Sequence, residues 1–261
     1  MRRFSIATVA AVSCIAFAQF ASAADLPLKA PVYKAAYNWN GLYIGGNIGY
    51  SWGHGDSWYA DPGLTGVGLP AAIFGSQNLD GMIGGGQIGY NWLYQDIWVL
   101  GVEADFQGSG EKGSGSFSDP YCADCNAAPN ALLSGTVDSK ILWFGTVRAR
   151  AGLLVNPTLL VYATGGLAYG KITTSGTITD SFVPTTWSFG DSTTRFGWTL
   201  GGGIEGAVPN TMDWTWKVEY LYIDFGSVSG SGIDADFGST YNWNVQVTDN
   251  IVRVGLNYRF H

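Results

Sequence analysis

Along much of the chain, apolar and polar residues alternate with a period of two, the signature of a β-strand with differently solvated faces. The C-terminal segment is the clearest case. Val252, Val254, Leu256, Tyr258 and Phe260 share one face, and Arg253, Gly255, Asn257 and Arg259 the other. Seven earlier segments repeat the pattern less strictly, at 41–52, 82–92, 97–107, 141–155, 159–170, 195–208 and 214–225. In the third, Trp98, Leu100, Val102, Ala104 and Phe106 oppose Glu103, Asp105 and Gln107. In the fourth, Val147, Ala149, Ala151 and Leu153 oppose Arg148 and Arg150; in the seventh, Trp216, Val218, Tyr220 and Tyr222 oppose Lys217 and Glu219.

The connections alternate in length. Leu93–Asp96, Asn156–Thr158 and Pro209–Asp213 are short, whereas 53–81, 108–140, 171–194 and 226–250 are long and rich in Gly, Ser, Thr and Asp. Eight such segments predict an all-β fold, an eight-stranded antiparallel up-and-down transmembrane β-barrel with short periplasmic turns and long extracellular loops.

Periodicity does not say which face points outward, since a soluble barrel would hide its apolar side. The aromatics argue for lipid. With directions set by the short turns, Trp92, Trp98, Trp216, Tyr258 and Phe260 fall at the periplasmic ends of strands. Tyr50, Trp52, Phe106, Trp143, Tyr169, Phe196, Trp198 and Tyr222 fall at the opposite ends. Two aromatic belts around an aliphatic band match the two membrane interfaces. The other face then lines a lumen with four acids (Glu103, Asp105, Glu205, Glu219) and five bases (Arg148, Arg150, Lys217, Arg253, Arg259), a near-balanced set expected to pair.

Composition agrees: 38 Gly, 11 Trp, 14 Tyr and 13 Phe with only 13% charged residues. Residues 1–23 read as a secretory signal peptide, with Arg2 and Arg3 ahead of an apolar stretch and Ala21-Ser22-Ala23 before a cleavage point between Ala23 and Ala24. A periplasmic segment 24–38 then precedes the barrel, 39–261. Beyond the signal, no apolar run reaches the roughly 18 residues of a membrane helix. The formal charge of −7 falls to −9 without Arg2 and Arg3, which argues against nucleic acid as a partner.

Few motifs suggest chemistry. Gly84-x-Gly86-x-x-Gly89 and Gly201-x-Gly203-x-x-Gly206 match a dinucleotide fingerprint, but both lie inside strands with no helix following, so the expected role is steric. Cys122-Ala123-Asp124-Cys125 reads first as a local disulfide in an oxidising compartment, with redox and metal readings lacking a supporting context. With His54 and His261 as the only histidines and no G-x-S-x-G elbow, a nucleophilic enzyme is hard to build. No cofactor or metal site is expected. Acidic loop residues such as Asp56, Asp61, Asp119 and Asp180 read as solvated rather than as a divalent-cation site bridging to lipopolysaccharide.

Several stretches carry a family resemblance. They include Ala24-Asp25-Leu26-Pro27, Trp39-x-Gly41-x-Tyr43-Ile44-Gly45-Gly46, Gly86-Gln87-Ile88-Gly89-Tyr90-Asn91-Trp92, Thr164-Gly165-Gly166-Leu167-Ala168-Tyr169-Gly170, Lys217-Val218-Glu219-Tyr220-Leu221-Tyr222 and Val254-Gly255-Leu256-Asn257-Tyr258-Arg259-Phe260. Together they resemble the small major outer-membrane surface antigens of Brucella, Bartonella and the rhizobia. The resemblance implies an OmpA-like barrel of the porin-family type, assembled through its C-terminal strand by the barrel-assembly machinery. It departs in one place: His261 follows Phe260, where such barrels end on the aromatic. The expected role is a structural barrel in the outer membrane, in contact with lipid and lipopolysaccharide, that supports the envelope and displays its loops. A narrow porin is the alternative, and haemin binding or adhesion rests on the resemblance alone.

Overall fold

The computed structural model describes residues 37–60, 72–121, 131–181, 185–233 and 240–260. They form nine antiparallel strands: β1 (Gly41–Ala60), β2 (Ala72–Tyr94), β3 (Trp98–Ser109), β4 (Lys112–Tyr121), β5 (Ala131–Asn156), β6 (Leu159–Asp180), β7 (Thr185–Ala207), β8 (Trp214–Ile233) and β9 (Thr240–Arg259). Consecutive strands pair, except β3 with β4, and β1 closes the ring by pairing with both β2 and β9. β3 and β4 share one place in that ring. β3 lies between β2 and β5 up to Ser109, and β4 takes over beside β5 from Lys112. The ring therefore has eight positions, and closure pairs backbone groups that lipid would otherwise leave unsatisfied.

The outward face is apolar and exposed: Ile48, Ile88, Val102, Val147, Leu167, Leu200 and Val254 all project away from the lumen. Aromatic rings bound this band. At the outer end Phe106, Trp143, Tyr169 and Phe196 touch in series across β3, β5, β6 and β7, with centroids 5.4, 6.2 and 6.4 Å apart. At the periplasmic end Trp214 meets Tyr258 and Tyr258 meets Phe260. Such a band is stable against hydrocarbon and would be a liability in water. The tight turn after β2 uses Gln95 and Asp96 at φ of 52° and 57°, whose left-handed backbone suits the twist of a hairpin.

One expectation is corrected. The segments 53–81, 108–140, 171–194 and 226–250 are not simply loops. β1 continues to Ala60, β5 begins at Ala131, β6 continues to Asp180, and β8 continues to Ile233, so the barrel wall extends well past the outer aromatic belt. These stretches pair through side-chain hydroxyls instead of an apolar face: Thr136 with Thr177 at 3.0 Å, Thr173 with Ser192 at 3.0 Å and Thr179 with Thr186 at 3.3 Å. Thr favours strands through its β-branch, but its hydroxyl erases the hydrophobic alternation. Tyr37, two residues ahead of Trp39, is buried with it at the periplasmic end of the barrel.

The glycine motifs lie within β2 and β7 and serve packing. A Cβ on Gly89 would collide with the Tyr43 phenol, and one on Gly206 would sit 2.6 Å from the Trp216 ring.

Candidate functional site

A barrel of eight strands leaves a lumen only wide enough for side chains. Here it is filled in three tiers. The periplasmic floor is apolar: Tyr37, Trp39, Val99, Leu160 and Tyr162 are buried, with Leu93, Leu154 and Ala207 against them. Trp39 is anchored by its indole N–H, which donates to the Pro157 carbonyl at 3.1 Å. The outer ceiling is largely apolar, built from Leu79, Ile83, Ile141, Phe144, Ile172, Leu221, Ile223, Phe225, Val247 and Ile251, with Ser51, Gln107, Glu111 and Asp249 buried at the same end.

The charged tier lies between. The nine sequence-selected residues Glu103, Asp105, Arg148, Arg150, Glu205, Lys217, Glu219, Arg253 and Arg259 all point into the lumen and are buried. Alternation on β3, β5, β7, β8 and β9 puts them there, and the narrow ring brings them within reach of one another. Arg148 binds Glu103, Asp105 (3.0 Å) and Glu219 (3.0 Å). Arg253 bridges Asp105 (2.9 Å) and Glu219 (2.5 Å) from the opposite wall. Lys217 completes this cluster at 2.9 Å from Glu103. Closer to the floor, Glu205 takes Arg150 at 2.6 Å and Arg259 at 3.0 Å.

Neutral groups join the two clusters. The Tyr43 hydroxyl donates to Glu103 at 2.7 Å and accepts from Arg150 at 2.9 Å. Tyr162 donates to Glu219 at 2.9 Å, and the Arg150 guanidinium lies 4.0 Å from the Tyr162 ring centroid. Asn47 donates to Gln87, Gln87 to Asn257 and Asn257 to Glu205 at 2.7, 2.5 and 3.1 Å, an amide chain around the wall. Arg259 donates to the Trp39 carbonyl at 2.9 Å and stacks over its ring, tying the charged tier to the floor.

Charge alone did not single out the tyrosines and amides. Parity does carry that signal: Tyr43 and Asn47 lie on the side of β1 opposite Leu42, Ile44 and Ile48. His54 stands apart on the exposed part of β1, 2.8 Å from Asn78 and 3.1 Å from Asp56. Cys122, Cys125, Ala23 and Ala24 lie outside the described residues.

Chemically, the middle tier of the lumen is a dense ion-pair lattice, although Asp105 Oδ1, Arg148 Nε and Arg253 Nη1 are buried without a hydrogen-bond partner among the described residues. Each of the four carboxylates has at least one cation within 3.0 Å. Such a lattice holds the wall together only while it stays complete, because an unpaired charge at this depth is costly.

Comparison with known proteins places this architecture. The family model described as "Outer membrane protein beta-barrel domain" matches residues 7–260. The 31 kDa outer-membrane immunogenic protein of Brucella melitensis is 39% identical, over 98% of this chain and 97% of its own length. The 22 kDa outer membrane protein of Rhizobium leguminosarum is 32% identical, over 89% of this chain and 82% of its own. Among solved structures, the outer membrane protein OprG from Pseudomonas aeruginosa superposes with a TM-score of 0.49 at 12% identity, covering 85% of this chain and 97% of that one. The chain belongs to the outer membrane protein β-barrel family, and its place is the outer membrane of a Gram-negative bacterium.

Proposed function

We propose that the protein is a closed structural barrel, neither an enzyme nor an open pore, whose work is to reinforce the outer membrane and carry its extended hairpins at the cell surface. The observation that carries this reading is the filled lumen. An ion crossing it would have to pass the Trp39 floor, the ion-pair lattice and the Phe144–Ile223–Ile251 ceiling in succession. An apolar constriction excludes water and ions, and here two largely apolar layers flank a charged tier.

The same observation speaks against catalysis in the lumen. A general acid or base must reach a substrate proton, and these carboxylates are buried with their arginines and lysine already in place. The partners of such a barrel are outer-membrane lipid and lipopolysaccharide around the wall, and the assembly machinery at β9. The immunogenic character in the name of the Brucella relative fits a protein whose strands project beyond the bilayer.

The test is single-channel recording of residues 24–261 refolded into a planar bilayer, after a heat-dependent gel shift has verified folding. Silence is the expected result. Steady, reproducible conductance would transfer the assignment to a narrow porin.

A further inference from the structure

We propose that the outward face of β4, β5 and β6, just beyond the outer aromatic belt, binds the phosphate groups of an outer-leaflet lipid headgroup through Lys112, Lys140 and Lys171. The inference rests on the outer-membrane placement and not on the closed lumen, so a conducting barrel would leave it standing.

The first observation is where the basic residues lie. The described residues hold nine lysines and arginines. Five form the lumenal lattice, and Arg195 points inward, because its neighbour Phe196 faces out. The remaining three, Lys112, Lys140 and Lys171, lie on adjacent strands, Lys112 and Lys140 in one register row and Lys171 one row closer to the aromatic belt. In an acidic chain, every outward-facing base of the described residues has been gathered into one patch.

The second is register. Lys112 stands directly opposite Lys140, Lys140 opposite Thr173, and Lys171 opposite Trp143 of the aromatic belt. Like charges facing each other across strands repel. An anion seated between them would relieve that repulsion. None of the three forms an ion pair within 4.0 Å among the described residues. Two carboxylates lie nearby, and neither fills the gap. Asp80, opposite Lys112, is engaged by the Tyr50 hydroxyl, and Asp138 lies one row farther from the membrane than Lys140.

The third is height. Lys171 lies two residues beyond Tyr169 on the same face, and Lys140 follows Trp143 outward past a bulge. Rings at the interface with ammonium groups immediately beyond them place the charge where lipid phosphates lie, and the flexible lysine stems let each head reach its partner. In the outer leaflet that phosphate-bearing headgroup is the lipid A of lipopolysaccharide. Each lysine at an anionic surface contributes modestly, and three converging on one headgroup give selectivity.

The test uses the refolded barrel in phosphatidylcholine nanodiscs doped with bisphosphorylated lipid A or with the same lipid after phosphate removal. Native mass spectrometry counts the lipid retained. Wild type should retain the phosphorylated form about tenfold better, a preference expected of several lysine–phosphate contacts. K112Q/K140Q/K171Q should lose that preference while keeping the heat-dependent gel shift, and K112R/K140R/K171R should retain it. Equal retention of both lipids by wild type, or an undiminished preference in the glutamine variant, would overturn the proposal. Displacement of the lipid from wild type by millimolar inorganic phosphate would also overturn it, since the site would then be one for a free anion.

Discussion

Strand β5 between Thr146 and Leu153 and the same strand between Thr136 and Ile141 are built to opposite rules. In the first stretch Val147, Ala149, Ala151 and Leu153 face outward, while Thr146, Arg148 and Arg150 face the lumen. In the second, Thr136, Asp138 and Lys140 face outward, while Ser139 and Ile141 face inward. The rest of the ring follows suit. Across the band the wall is apolar outside and charged inside. At and beyond the outer belt it turns polar outside and closes over the apolar cluster that includes Leu79, Ile172, Leu221 and Ile223. One continuous barrel is thus inverted toward lipid over part of its length and ordered like a soluble barrel over the rest. The medium outside sets the pattern, while backbone pairing stays the same.

This difference is sharpest where a single charge is removed or added. Arg148→Ala strips Glu103, Asp105 and Glu219 of a shared cation at a fully buried point. We expect the largest loss here, about 3–5 kcal/mol, the range for breaking a buried pair from one side. Urea unfolding of the refolded barrel in lipid, followed by tryptophan fluorescence, measures it. An unchanged midpoint would mean that the lattice is not what supports the membrane-spanning wall.

The outward face of the band should be nearly as sensitive, for a different reason. Val102 lies midway between Trp98 and Phe106 on β3, facing the hydrocarbon. Val102→Arg should cost about 2–4 kcal/mol in a bilayer, as charges at midplane do. In detergent, where the guanidinium can find water, the cost should shrink. A penalty equal in both media would argue that Val102 does not face lipid.

The ceiling beyond the belt holds its own polar exception. Glu111 lies between β3 and β4, its side chain buried beside Asp249, and burial together with that carboxylate pushes Glu111 up to about 8. The sign follows from proton counting. Between the unperturbed value of about 4.5 and about 8 the folded barrel holds a proton that the unfolded chain has lost, so stability falls as pH rises through that window. Glu111→Gln should flatten this fall and should be more stable than wild type at pH 9. Urea midpoints at pH 5 and pH 9 for both proteins decide the matter, and parallel pH profiles would rule out Glu111 as the source.

These two regions also account for what the sequence made legible. Within the band the contrast between faces is extreme, Val or Leu against Arg or Glu, so the alternation of β3, β5, β7, β8 and β9 reads directly and puts all nine charged residues on one side. Beyond the belt the contrast is inverted and weak, with Thr and Ser against Ile, and the parity itself slips. Leu142 is inserted as a bulge between Ile141 and Trp143, the β8–β9 register shifts between Asp224 and Ser227, with Gly226 at φ 74°, and the β3–β4 wall breaks at Gly110–Glu111. A period of two cannot be followed through an inserted residue. The slips occur where the barrel exchanges its inside for its outside, and the strands beyond them read as loops. The tyrosines of the lattice escaped for a simpler reason. Tyr43 and Tyr162 look like belt residues by type, and only their parity shows that they face Glu103 and Glu219.

The smallest expected effect is also the most direct check on the inversion. Thr136 is the extension's counterpart of Val102: outward, on a paired strand, with its hydroxyl 3.0 Å from that of Thr177. If water surrounds this stretch, Thr136→Arg should change stability by no more than about 0.5 kcal/mol, the usual range for an exposed substitution, and should do so equally in bilayer and detergent. The lost hydroxyl contact is exposed and readily replaced by water, so it cannot mask a penalty of the size expected at Val102. A cost at Thr136 that appears in the bilayer and vanishes in detergent would mean that lipid, or lipopolysaccharide standing taller than the aromatic belt, reaches this row. The boundary between the two rules would then lie farther out along β5 than Trp143 marks it.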